Sequence, residues 1–282
     1  MKADARKRHE ENRLSWNSIS EAYHRTRTTR WRETVSDPSL GFSHGSLALL
    51  KTVCPDLDGL DACVLGSGDQ FAAFGLAGMG ARVTSVDISE EQLAVATERA
   101  SELGLEMAFI QADVCDVGML SDASFDLVCC TNGMLIWVSD LPQFYREAAR
   151  ILRPDGIYFW FDIHPFQRPF NDDFKLKASY FDNEPMEFWS DSEDVNRPAE
   201  GVPVSDRSDL ARNFVTHYTV ADLVNPMADA GLSLLRMRET PVTESWWTFD
   251  RPDVPVDELL SWKTNPVAGL PAWMAMGARK LA

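Results

Sequence analysis

Gly66, Gly68 and Asp87 carry the chemistry written most plainly in this chain. Val64-Leu65-Gly66-Ser67-Gly68-Asp69 reads as a buried strand running into a glycine turn, and Val83-Thr84-Ser85-Val86-Asp87 as a second strand ending on an acid. Glycine lets backbone approach a ligand where a β-carbon would clash, and a carboxylate at a strand end can accept both hydroxyls of a ribose. The pattern describes a nucleoside site. Two ligands fit it at this point, a dinucleotide and S-adenosylmethionine.

A dinucleotide turn asks for a third glycine, in G-x-G-x-x-G, so that the helix can pack on the strand. Phe71 stands at that position. Further landmarks follow: Gln111-Ala112-Asp113-Val114 at the end of the next strand, Phe125-Asp126-Leu127-Val128 opening the one after, and Leu152-Arg153-Pro154-Asp155-Gly156. On these residues the run from Asp61 to Trp160 resembles the class I S-adenosylmethionine-dependent methyltransferases, within them the bacterial small-molecule enzymes. The resemblance implies a Rossmann-like α/β fold with a seven-stranded, mostly parallel sheet in order 3-2-1-4-5-7-6 and an antiparallel last strand. It also implies the cofactor, S-adenosyl-L-methionine, and the residues that hold it. Gly66, Ser67, Gly68 and Gln70 would border the methionine moiety and Asp87 the ribose. Ile88 and Gln92 would lie against the nucleoside, and Asp113 and the Val114 N–H would meet the adenine. Thr131 and Asn132 would stand beside the transferable methyl, and Tyr23 would close over the cofactor. The chain departs from the family at Val64, where an acid is usual, and at Gln70, where a third alternate glycine is usual. The methionine ammonium is therefore expected to meet backbone carbonyls or the Asp69–Gln70 turn.

For proton transfer the sequence offers His164, which ends the fifth strand in Phe161-Asp162-Ile163-His164-Pro165, with Tyr23 and His24 as the next candidates. Its plainer alternative is a strand-ending histidine that orders the segment after it. His44 falls in a segment expected to roof the pocket, and His217, just before a helix cap, reads as structural. No H-x-x-x-H or other ligand spacing suggests a metal.

Elements must position these groups. Helices are expected over Glu11–His24, Ser46–Val53, Gln70–Ala77, Glu90–Leu103 and Leu141–Leu152, and from the Thr219 cap to Ala230. Strands are expected over Ala62–Leu65, Ala81–Asp87, Glu106–Gln111, Phe125–Thr131, Ile157–Ile163, Leu232–Met237 and Trp273–Ala278. Strands alternating with helices of about a dozen residues give βαβ units. Residues 165–216 break the rhythm, rich in aromatics with no helical period. The division follows: 1–55 a helical cover, 56–164 the cofactor-binding core, 165–216 an inserted substrate cap, 217–282 the C-terminal part of the sheet.

The net charge of −16 argues against nucleic acid. Residues 1–33 run the other way, with nine Lys or Arg against five acids. A basic helix lying on an acidic body explains that, as would one covering an anionic ligand. Five cysteines, odd in number and without C-x-x-C spacing, read as buried reduced thiols of a cytoplasmic protein. No membrane segment is expected, nor a secretory signal in the charged N-terminal run. Five of the nine tryptophans lie beyond residue 185, so the acceptor expected is a small aromatic or indole-like metabolite, methylated in line. The competing readings are a catalytically silent nucleoside-binding protein of the same fold and an NAD-linked oxidoreductase, the latter opposed by Phe71 and Asp113. Oligomeric state is not legible.

Overall fold

The computed structural model describes residues 1–26, 29–131, 133–170, 175–191, 194–198, 211–242 and 254–281. Helix α1 (Ala3–Thr26) and α2 (Ser46–Val53) lead into β1 (Asp61–Leu65), α3 (Phe71–Gly78), β2 (Arg82–Asp87), α4 (Glu90–Glu102) and β3 (Ala108–Gln111). Next come β4 (Phe125–Thr131), α5 (Leu141–Ile151), β5 (Leu152–Ile163), β6 (Met186–Asp191), β7 (Asp194–Pro198) and β8 (Ala211–Val215). The chain closes with α6 (Val220–Asp229), β9 (Leu232–Thr240), α7 (Val256–Leu259) and β10 (Trp273–Lys280).

Seven strands form one sheet in the order β3-β2-β1-β4-β5-β10-β9. Counting only this sheet, that is 3-2-1-4-5-7-6, as the resemblance implied. β10 lies antiparallel to both neighbours, Met276 opposite Trp160 on one side and Met237 on the other. Helices cover both faces, which is why the central strands are continuous apolar runs. Alternate residues divide between two cores. Cys63, Leu65, Val128, Cys130, Tyr158 and Trp160 pack with Phe144 and Tyr145 of α5 and Met227 of α6. Ala62, Val64, Leu127, Cys129, Phe159 and Phe161 pack with Leu49 and Leu50 of α2 and Ala72 and Leu76 of α3. All five cysteines are free and buried.

Three elements differ from expectation. Helix α1 begins eight residues earlier, at Ala3, because its first turns attach by polar contacts that leave no apolar period. The Lys2 N–H donates to Asp140 at 2.9 Å, Arg8 donates to the Ser139 hydroxyl at 3.0 Å, and Arg6 pairs with Asp116 at 3.3 Å. Strand β5 begins at Leu152 instead of Ile157, since pairing with β4 continues across the Pro154-Asp155-Gly156 turn, from Phe125 opposite Leu152 to Leu127 opposite Ile157. The aromatic region after β5 contains a separate antiparallel sheet, β7-β6-β8. Residues 199–210 of that region, and Trp246 and Trp247 further on, lie outside the described residues.

The order reverses between β1 and β4, so the crevice beyond their C-terminal ends is where a ligand binds in such a sheet. The segment between α1 and α2 is clamped to α3 from outside. A β-carbon on Gly41 would overlap the Phe71 carbonyl, and one on Gly78 the Val35 carbonyl. Gly78→Ala should therefore cost about 1–3 kcal/mol. Urea unfolding should show a lower midpoint at constant slope; an unchanged midpoint would show that this seam tolerates extra volume.

Candidate functional site

At the switch point a single cleft, about 880 Å³ counted out to its open mouth, gathers most of the expected residues. From the sheet come Gly66, Ser67, Gly68, Asp87, Ile88 and Thr131, and from flanking segments Tyr23, Gln92, Asp113 and Val114. The glycine turn leaves β1 with Gly66 at φ +66° and Gly68 at φ +45°. A β-carbon on Gly66 would overlap the Met134 side chain, which lies across the turn. Asp87 is buried and accepts the Gly68 N–H at 2.8 Å and the Ser89 N–H at 3.0 Å. Burial pushes its carboxyl above the usual range, against the pull of those backbone donors. Ser89 in turn caps α4, accepting from the Gln92 N–H at 3.1 Å.

Gln70 is corrected. Its backbone is left-handed, at φ +69°, and its side chain folds inward, donating to the Ser67 hydroxyl at 2.8 Å and to the Gly68 carbonyl at 3.2 Å. It braces the turn from below and does not border the cleft; Asp69 does. Phe71 is likewise buried against Trp31 and Phe74, filling the space that a third glycine would have left for close helix packing.

His164 is also corrected as a proton-transfer group. It is fully buried at the end of β5 and does not border the cleft. Nε2 meets a Glu239 carboxylate oxygen at 2.9 Å, and Nδ1 accepts the Phe166 N–H at 3.1 Å. Both nitrogens serve to order the segment that follows. His24 sits behind the wall, with Nε2 2.7 Å from the Gln92 carbonyl oxygen. His44 stacks on Trp273 with centroids 4.1 Å apart. Asn132 lies outside the described residues.

Asp113 has a partner that sequence reading missed. His9 Nδ1 lies 2.7 Å from its carboxylate, and His9 Nε2 accepts the Ser139 N–H at 2.8 Å. Because a backbone N–H can only donate, the ring proton is assigned to Nδ1, which donates to Asp113. The other Asp113 oxygen accepts the Cys115 N–H at 2.8 Å. His9, Asp113 and Cys115 lie within metal-ligating distance of one another. Yet the carboxylate is engaged twice, and burial pushes the Cys115 thiol up, away from the thiolate a metal requires.

Other wall residues missed are Asn12, Trp16, Met134, Trp137 and Val138. A signal existed for those on α1: His9, Asn12, Trp16 and Tyr23 are spaced by three, four and seven, which is one helical face. Trp16 meets Tyr23 edge-on at 5.3 Å and Trp137 at 5.4 Å. Asn12 also pins α1 to β8, donating to the Phe214 carbonyl at 2.9 Å and accepting the Phe214 N–H at 2.7 Å.

Behind Gly133, which borders the cleft, a second polar group lies at the end of β5. Asp162 accepts the Ile163 N–H at 2.6 Å and the Gly133 N–H, and burial pushes its carboxyl up to about 6. Burial, with like charge from Arg168 and Lys177, pushes the His217 imidazole down to about 4. The unfolded chain therefore takes a proton on His217 before the folded one does, so its stability contribution is full above about pH 6.5 and is lost as pH falls toward 4. Between pH 7 and 4.5 the protein should lose about 2 kcal/mol more than its His217→Asn variant in urea unfolding. Parallel pH profiles would contradict a neutral, buried His217.

Comparison with known proteins agrees with this geometry. A methyltransferase domain family matches residues 63–160. A ubiquinone biosynthesis O-methyltransferase of Vibrio parahaemolyticus is 29% identical over 174 residues, 59% of this chain and 68% of that protein. An S-adenosylmethionine-dependent methyltransferase structure from Mesorhizobium loti superposes with a TM-score of 0.54 at 20% identity, covering 84% of this chain and 98% of that one. A second, from Listeria monocytogenes, gives 0.57 at 17%, covering 84% and 99%. At these identities the two structures speak to fold alone.

Proposed function

Because the chain is a class I S-adenosylmethionine-dependent methyltransferase, we propose that its acceptor is a small aromatic metabolite, methylated on oxygen and held against Trp16, Tyr23 and Trp137. One observation carries the reading: Trp16 meets both Tyr23 and Trp137 in the wall of the same cleft that holds Gly66 and Asp87. Such rings bind a planar acceptor through area and edge-to-face contacts. The name of the Vibrio relative supports oxygen as the nucleophile.

The residues present fit the cofactor. Asp87 has a lone pair free on each oxygen for ribose hydroxyls beside its two backbone donors. The Gln92 Nε2 is buried in the cleft wall with no hydrogen-bond partner, a donor suited to a nucleoside oxygen or nitrogen. Asp113, its orientation fixed by His9, faces the position of the adenine amino group, and Asp69 that of the methionine ammonium.

When bound, the cofactor supplies an electrophilic methyl group. The protein's part is to hold the acceptor oxygen in line and exclude water, which can be worth ~7–11 kcal/mol of barrier. Helix α1 and the small sheet do this together, joined through Asn12, and residues 165–216 act as the substrate cap. Of the three groups considered for proton handling, Tyr23 is the one that borders the cleft, so it orients the acceptor hydroxyl. A cytoplasmic site of action suits the five free thiols.

Asp87→Asn should weaken S-adenosylhomocysteine binding in calorimetry by about tenfold or more, one charged hydrogen bond being worth ~1.5–3 kcal/mol. Wild-type affinity would remove Asp87 from the site. With methyl-labelled cofactor, label should pass to the hydroxyl of catechol, and Trp137→Ala should lower kcat/KM on it. Transfer to aliphatic amines with none to phenols would overturn the aromatic-acceptor reading.

A further inference from the structure

Arg168 lies just beyond β5, with its side chain only 12% exposed. Its Nη2 is buried and has no hydrogen-bond partner. Among the described residues its ion-pair partner is Asp162, whose Oδ1 lies 3.6 Å away, too far for a hydrogen bond. That same Oδ1 is held in place by the Ile163 N–H at 2.6 Å. A buried guanidinium N–H group left without a hydrogen bond is costly, and the cost points to a ligand that supplies one.

The position selects the ligand. Asp162 Oδ1 lies 3.9 Å from a β-carbon placed on Gly133, and Gly133 borders the cleft beside the aromatic wall. Arg168 thus stands one side chain behind Gly133 in the cleft wall, reached past Asp162. Arg168 and Lys177 both hold the His217 imidazole toward its neutral form, with Asp182 pulling the other way. The molecule as a whole carries −16, so an anionic acceptor needs a local cation to meet it.

We propose that Arg168, set behind Gly133 and left unsatisfied by Asp162, binds a carboxylate on the acceptor, so that the enzyme selects aromatic acids over neutral aromatics. A guanidinium fork matches a carboxylate with two parallel N–H···O bonds, which a lysine ammonium cannot reproduce. This inference rests on the aromatic-acceptor reading above. Arg168 determines specificity; it takes no part in the bond change at the methyl.

The test uses the protein loaded with S-adenosylhomocysteine and titrated calorimetrically with 3,4-dihydroxybenzoate or with catechol, which lacks the carboxylate. The acid should bind about tenfold or more tighter. Arg168→Gln should bring the two to the same affinity, and Arg168→Lys should restore part of the difference. Equal affinities in the wild type, no detectable binding of the acid, or a preference that survives in Arg168→Gln would each overturn the proposal. The S-adenosylhomocysteine affinity, measured first on each protein, stays at the wild-type value if the variants fold. Its loss in the wild type would count against the cofactor site itself, and catechol binding without acid preference would spare the aromatic reading while removing Arg168.

Discussion

The buried carboxylate of Asp87 ties together the two pieces of backbone from which the cleft is made. It receives the Gly68 N–H from the turn after β1 and the Ser89 N–H from the start of α4. Gly66, Gly68 and Gln70 all sit at positive φ, a conformation glycine adopts freely but one that Gln70 keeps only where surrounding contacts over-determine it. Asp87 supplies those contacts from above and Gln70, through Ser67 and Ser85, from below. The acid proposed to bind ribose is therefore also the acid that builds the turn, and burial raises its pKa.

A second set of polar ties brings the cover to the cleft. His9 connects α1 to Asp113 and to Ser139, and Asn12 connects it to β8. The Thr216 N–H, just after β8, donates to the Ile136 carbonyl at 2.7 Å in the segment that follows β4. The helix, the small sheet and the post-β4 loop consequently meet over one opening, and the aromatic wall is assembled from two of them. The aromatic wall and the glycine turn with Asp87 thus come from different parts of the chain and border one cleft.

The core was legible because burial on both faces writes itself into the sequence. Residues 62–65 of β1 and 127–130 of β4 are apolar runs, and the glycine turn and Asp87 follow at a strand end where chemistry is expected. Helix α1 was legible only where it has an apolar face; its start is held through the Lys2 N–H, Arg6 and Arg8, and such polar contacts leave no period. The small sheet was hidden for a related reason, since Asp194-Val195-Asn196-Arg197-Pro198 has little strand character of its own. His164 shows the limit most clearly. Its place at the end of β5 was read correctly, yet its role depends on Glu239, which reaches it from β9 across β10. No local spacing encodes that meeting. His9 and Arg168 escaped likewise, because their meaning lies in a partner more than a hundred residues away or in one buried N–H group without a hydrogen bond.

The central claim is that the nucleoside of S-adenosylmethionine lies between Asp87 and Asp113, under α1. Crystallographic difference density after soaking with S-adenosylhomocysteine tests it most directly. The account predicts two ribose oxygens within hydrogen-bond distance of the Asp87 carboxylate, the adenine amino group on Asp113, and Met134 moved off Gly66. Nucleoside density elsewhere, or in this cleft with the ribose turned away from Asp87, would contradict it.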